Sequence, residues 1–290
     1  LGDNKMAYAN EYGSGINLTA LMVPTQAATV YAAQEASLYL PGTMIPIVQV
    51  ADGSASAQIA VMGSVDATTV VNNGDGTAET DPGADFPTIL PANTAINLNL
   101  DLIAARSVIR DLGRADFNDF GRILGNSIAS AVDARVSANL GALTVVAPAG
   151  GVVTLLDDLY NAIGTIRDAG ETGPLTCVVA AAKYGDFMKV IGNAGFAGSE
   201  TQNAAMRSGF LGMIAGVPCY VSSHFNATNT GLTTPDFAVF SQDAVRMATQ
   251  GGVKVEFERQ AAAVGTNIVA SIAFASGVID TTRGVTVGTV

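Results

Sequence analysis

A cysteine and the chain's single histidine stand five positions apart in GFLGMIAGVPCYVSSHFN, residues 209–226. Cys219 and His224 are the pair whose side-chain types could do covalent chemistry. An imidazole that takes the thiol proton leaves a thiolate nucleophile, as in a Cys-dependent hydrolase. That chemistry needs both groups within hydrogen-bond reach and a third group to orient the base. On an extended strand, residues five apart are separated by about 16 Å and point to opposite faces. Cys219 also sits between Pro218 and Tyr220 in an apolar run, where a buried, inert thiol is expected. The pattern predicts a strand opening at Pro218 rather than a catalytic dyad.

Other residues with chemical potential fare no better. One histidine and two distant cysteines, Cys177 and Cys219, make neither an ordinary zinc shell nor a disulfide framework. They read as small buried hydrophobes in a reducing compartment. Asn73, Asp75 and Glu79 in NNGDGTAETD (72–81) offer oxygens, but their spacing departs from the EF-hand pattern. The glycines of GNAGFAGS (192–199) follow a helical stretch instead of opening one, and no GK[ST] follows them, so a loop is expected and not a phosphate cradle. Asp157 and Asp158 suit a helix start electrostatically. The sequons at Asn17 and Asn226 read as chance, because no basic-then-apolar leader precedes them. The expectation is no catalytic residue, no cofactor and no metal.

The elements around these residues carry more information. Apolar residues make up 49% of the chain and charged residues only 13%, about half the usual share. No apolar run approaches the roughly 18–20 residues that a membrane helix needs. A chain so poor in charge hides apolar surface somewhere, and contacts between subunits are the readiest place. A net charge of −11 argues against a strong sequence-independent grip on nucleic acid, which rests on Lys and Arg at phosphates.

Residues 1–35, rich in Gly, Asn, Ala and Thr, read as an arm, with a short helix within 24–39 after Pro24. No Lys or Arg occurs between Lys5 and Arg106. Within this span 42–65 reads as two β-runs around the turn Ala51-Asp52-Gly53-Ser54. A polar stretch follows at 72–85. Ile96, Leu98, Leu100 and Leu102 then alternate with polar residues as in a half-buried strand. Residues 40–103 together form an extended β-excursion too thin for its own core. The strongest helix is 115–141: Asp116 suits the N-cap, Gly141 the C′ position, and Phe117, Phe120, Leu124, Ile128 and Ala131 make one stripe, widened by Ile123, Val132, Val136 and Leu140. Thr154 can cap a helix that ends at Gly170. A buried strand is expected at 175–182, a helix at 183–191, a strand in DFAVFS, and a long hairpin from 252–260 and 267–280.

This order of elements resembles the major capsid protein of tailed double-stranded DNA bacteriophages, the Hong Kong 97-type shell fold. NLNLDLIAARSVIRDLGRADFNDFGRILGNSIASAVDARVSANLG (97–141) is similar to the family's loop-closing strand and spine helix. TLLDDLYNAIGTIRDAGETGPLTCVVAAAKYGDFMKVIGNAG (154–195) is similar to the opening of its axial domain. GFLGMIAGVPCYVSS (209–223) and FAVFSQDAVRMATQGGVKVEFERQ (237–260) look like its later strands. The resemblance covers most of 36–285 and implies an α+β fold. Its parts would be an N-terminal arm (1–35), an excursion loop (36–104), a peripheral domain (105–149 and 246–290) and an axial domain (150–245). It implies pentamers and hexamers of the chain in an icosahedral shell that encloses double-stranded DNA, located in the virion and assembled in the bacterial cytoplasm. Portal, scaffold and decoration proteins would be partners, with no membrane. Some members crosslink through an excursion-loop lysine; residues 6–105 contain none, so a non-covalent shell is expected. An encapsulin-like nanocompartment with the same fold stays open, as do, from different classes, the Cys219–His224 hydrolase and a β-rich surface-layer protein.

Overall fold

The structure is a computed structural model that describes residues 15–62, 93–110, 117–146, 155–193, 210–225, 232, 234–260 and 265–289. Asp116, Thr154, the 72–85 stretch with Asn73, Asp75 and Glu79, residues 194–199, the Asn226 sequon and residues 1–14 of the expected arm lie outside them. Helices α1 (Gly15–Ala36) and α2 (Phe117–Leu140) lie together against a four-stranded sheet of order β1-β10-β11-β4. Its strands are β1 (Ile47–Gln49), β4 (Asp101–Arg110), β10 (Val245–Gln260) and β11 (Gly265–Val278). A second sheet has the order β5-β12-β9-β6-β8-β7. It is built from β5 (Thr144–Val146), β6 (Leu175–Ala180), β7 (Phe210–Ile214), β8 (Val217–Ser222), β9 (Thr234–Ser241) and β12 (Gly284–Thr289). Helices α3 (Leu155–Asp168) and α4 (Tyr184–Asn193) supply Leu159, Ile166 and Phe187 to the core on one face of that sheet.

Helix α2 holds these parts together. Leu124, Ile128, Val132, Val136 and Leu140 are buried at spacings of three and four residues, the stripe a core-facing helix requires. They share one core with Val255, Ile268, Ile272 and Phe274 of the long hairpin and with Val178, Ala238 and Phe240 of the six-stranded sheet. The opposite face of β6 and β9 places Cys177, Val179, Phe237 and Val239 against α3 and α4. Both faces of β6 are therefore covered, which explains its unbroken apolar run. Ile123 does not join the stripe and is 58% exposed.

The sequence leads one to expect only a short helix within 24–39, starting after Pro24; α1 instead runs for 22 residues and passes through Pro24. Its buried positions include Thr25, Thr29, Ala32 and Ala33. Such a stripe of small and hydroxylic side chains carries little periodic hydrophobic signal. It suits a close crossing. A Cβ added at Gly121 of α2 would lie 2.9 Å from the Thr25 carbonyl oxygen, and one at Gly125 would lie 2.5 Å from that of Thr29 and 2.8 Å from the Ala32 Cβ. The two glycines, one turn apart, let the helix backbones touch. Thr29 turns its hydroxyl onto the Thr25 carbonyl at 2.7 Å, so that buried hydroxyl is satisfied within α1.

Helix ends also diverge from expectation in one case and match it in another. Gly141 does not adopt the left-handed conformation: α2 closes in tight turns, with the Gly141 N–H donating to the Ala138 carbonyl and the Ala142 N–H to that of Asn139. Gly170, at φ +87°, does cap α3. The Gly170 N–H reaches the Arg167 carbonyl and the Glu171 N–H the Ile166 carbonyl, a Schellman arrangement that only a residue tolerant of positive φ completes cheaply.

The excursion region forms a ribbon of its own. Strands β2 (Ser56–Met62) and β3 (Asn93–Asn99) pair antiparallel with each other, Ala57 opposite Leu98 and Ile59 opposite Ile96. The expected turn Ala51–Ser54 is present, with the Ser54 N–H on the Ala51 carbonyl and Gly53 at φ +90°. At the root, Ala57 and Leu98 pack on Ala248 and Ala275, and Leu98 abuts Gly277 where a side chain would stand. The expected single strand through Leu102 is broken at Leu100, whose N–H bonds to the Ala55 carbonyl. The chain changes sheets there and the alternation slips by one, so Leu102 points outward and is 71% exposed. β12 leaves the hairpin, joins β5 and β9, and buries Val285 and Val287 with the α3–α4 core.

Gly125→Ala should lower unfolding free energy by about 1–3 kcal/mol, the usual cost of overpacking. Gly164→Ala, in α3 with nothing within 4 Å of the new methyl, should raise it by about 0.5–1 kcal/mol through helix propensity. Urea unfolding of both variants measures the difference; equal effects would show that α1 does not press on α2.

Candidate assembly interface

The structure separates Cys219 from His224. Cys219 is fully buried in the core beneath α3 and α4, and its S–H points to the Val217 carbonyl at 3.5 Å. Its directly registered neighbour on β6 is Cys177, also fully buried. His224 lies on the α2 side, where its Nε2 is 3.1 Å from Ser130 Oγ. It lines a cleft of about 410 Å³ with Ser37, Asp133 and Ser222. Asp133 is buried, but its oxygens accept from Ser37 Oγ at 2.5 Å and from the Leu38 N–H at 3.0 Å. They hold the chain as it leaves α1 and do not orient the imidazole. Burial pushes the Asp133 carboxyl above the usual range, although the Leu38 and Ser37 donors pull the other way. The neighbouring Tyr39 hydroxyl is also raised, first by burial. Ser130, His224 and Asp133 thus pin α1 to α2 and β8. Among the described residues no cluster of three or more His, Cys, Asp or Glu side chains could hold a metal, and no helix is long and apolar enough to cross a membrane.

Two further polar arrangements carry no signal in the sequence. Asp236, inside apolar β9, is fully buried, and its oxygens accept no hydrogen bond among the described residues. Lys183 Nζ stands 3.3 Å away. Burial raises the Asp236 carboxyl despite Lys183, and Asp186 and Asp158 add to the rise. Asp158, expected merely to suit the start of α3, is buried, whereas Asp157 is exposed. Separately, Arg283 before β12 reaches Glu171 at 3.0 Å, Asp243 at 3.4 Å and Asp280 at 3.1 Å, and Arg246 reaches Asp243 at 2.6 Å. Asp280 also accepts from the Thr282 N–H and hydroxyl; these bonds and Arg283 outweigh its partial burial, the largest single influence, and lower its carboxyl. This network fastens the α3–β6 turn and the β9–β10 turn to the return of the long hairpin.

Large exposed apolar side chains are dispersed over several elements. Tyr31 of α1, Leu102 of β4, Ile123 of α2 and Met213 of β7 are all more than half exposed. β4 is an outer strand of its sheet. The ribbon presents an apolar stripe whose cover fades with distance from the body: Ala57 and Leu98 are buried, while Ile59, Val61 and Ile96 are only partly covered.

The raised Asp236 carboxyl sets a pH signature. A carboxyl whose folded pKa is raised favours folding when protonated, so its contribution is full at low pH and is lost as pH climbs through the folded value. Asp236→Asn should therefore raise Tm at pH 7 by about 2–4 °C, with the advantage shrinking toward pH 4. Differential scanning calorimetry across that range checks it; a lower Tm at every pH would mean that Lys183 outweighs the burial cost.

No protein-family profile matches the chain, and no curated protein matches it. Solved structures do. One titled as the capsid of the cyanophage P-SCSP1u is 16% identical, with a TM-score of 0.59 over 84% of this chain and 86% of that one. A structure of Mycobacterium phage Che8 is 17% identical, with a TM-score of 0.57 over 81% and 84%. A virus-like particle from Pyrococcus furiosus is 10% identical, with a TM-score of 0.63 over 92% and 98%. With a ribbon, a helix spine, an α/β sheet and a long hairpin following one another in this order, the chain has the Hong Kong 97-type fold of capsid shells.

Proposed function

We propose that this chain is a major capsid protein that assembles as pentamers and hexamers into an icosahedral shell around the double-stranded DNA of a tailed bacteriophage. The observation that carries the proposal is the β2–β3 ribbon. A lone two-stranded ribbon is marginal in water, and this one leaves Ile59, Val61 and Ile96 incompletely covered by its own subunit. A neighbouring subunit completes that burial. α2 and the β10–β11 hairpin form the peripheral part, and the α3–α4 sheet forms the axial part around the symmetry axes. Modest contacts repeated around a closed shell add up to a wall that resists internal pressure.

The protein acts by assembly and not by catalysis: the candidate thiol is sealed in the core and its expected base is engaged elsewhere. With no lysine in residues 6–105, the shell is held by non-covalent contacts, with portal, scaffold and decoration proteins as further partners. The acidic balance suits a wall that releases its DNA. Assembly takes place in the host cytoplasm, and the product is the virion. A second reading, a nanocompartment around protein cargo, uses the same fold, and the overlap with a structure titled as a virus-like particle extends over 92% of this chain and 98% of that one.

Negative-stain microscopy of the expressed chain should show regular hollow polyhedra; a monomer near 29.4 kDa in every buffer would refute both shell readings. Nuclease-protected DNA in native particles supports the phage, and a protein cargo the compartment. Ile96→Asp should leave the subunit folded by circular dichroism yet cut particle yield by about tenfold or more, since each such burial is worth about 1.5–3 kcal/mol. Boiled particles should run as a single band on denaturing gels, without a ladder of multimers, and native particles should resist iodoacetamide.

A further inference from the structure

The two cysteines are not independent. Cys177 on β6 and Cys219 on β8 are direct partners in a parallel pair, in register with Val178 opposite Tyr220 and Val179 opposite Val221. Neighbouring strands lie about 4.7–4.9 Å apart, inside the roughly 4.4–6.8 Å Cα range that a disulfide spans. Both side chains belong to one buried core with Val179, Val239, Ile166 and Phe187, and the Cys219 side chain is the first influence acting on the Cys177 thiol. The chain's only two cysteines, 42 positions apart in sequence, thus share one dry pocket, although neither supports the other as a nucleophile.

We infer that Cys177 and Cys219 form a single oxidation site, closing an intrachain disulfide between β6 and β8 when the protein meets a small oxidant of the diazene or disulfide class. The two S–H bonds break and one S–S bond forms; two electrons and two protons pass to the oxidant, which with diamide becomes the hydrazine. The adjacent Cys219 side chain first, and burial second, hold the Cys177 thiol well above its usual pKa, so the thiolate is scarce and the step is slow and confined to small reagents. The new bond encloses α4 and β7 in a covalent loop and ties β8, next to the outer strand, to the sheet interior. Closing a loop of that length restricts the unfolded chain, so the oxidised form is the more heat-resistant. The site belongs to the subunit itself and does not depend on shell formation.

The test is to incubate the folded full-length protein with diamide in mildly alkaline buffer, then denature it in excess N-ethylmaleimide and weigh it. The expected product is a monomer lighter by two hydrogens, without maleimide adducts, that yields a linked peptide pair on digestion. Its Tm should rise by several degrees and return after dithiothreitol. Cys177→Ala should remove the mass change and the Tm rise together. Two maleimide adducts after prolonged native incubation would overturn the inference. So would linkage between chains, or oxidation that proceeds only once denaturant is added, since pairing would then arise from the unfolded chain.

Discussion

One face of α2 closes two sheets at once, and most of the molecule follows from that contact. Leu124, Ile128, Val132, Val136 and Leu140 meet the long hairpin and the six-stranded sheet in a single core. A helix about 36 Å long with an unbroken apolar stripe is a rigid beam, and each sheet is positioned by where it rests on that beam. α1 can join only because Gly121 and Gly125 lower the beam's surface at one place. Asp133 then holds the chain leaving α1, through Ser37 and Leu38. Helix, second helix and sheets are therefore coupled through packing, with few polar contacts at the interface.

The same economy of charge explains the scattered polar sites. With 39 charged side chains in 290 residues, 14 basic and 25 acidic, those that are buried stand out physically. Arg283, reaching three carboxylates, fixes turns from three parts of the chain where the two sheets approach each other. Asp236 has the opposite character: its burial is a cost that Lys183 offsets only in part. Neither arrangement includes a residue of the ribbon or one of the outer apolar residues, so the groups that fasten the subunit and the apolar groups left at its surface are different.

Legibility in the sequence followed how strongly each element announces its period. α2, α3, β6, β8 and β11 have large apolar side chains at regular spacing and are expected at nearly their observed positions, whereas β10 starts at Val245, seven residues before the expected 252. α1 was missed in length because its packing stripe is Thr and Ala, chosen for closeness and not for apolar mass. Leu102 was assigned to the wrong face because alternation assumes one continuous strand, and the break at Leu100 resets it. Strand geometry sets Cys219 and His224 apart, but nothing in their spacing reveals that the registered neighbour of Cys219 is Cys177, 42 residues earlier.

By itself the amino-acid order determined the low share of charged residues, the local periods of the main elements, and the absence of lysine from residues 6–105, because these depend only on residue type and near neighbours. Tertiary structure decided which sheet receives β12, where the ribbon changes sheets, how Asp133 and Asp236 came to be buried, and which thiols meet. Each of those depends on pairing between segments tens to hundreds of residues apart, and a backbone hydrogen-bond ladder accepts many sequences with almost equal energy. Only the packing of whole elements selects among them.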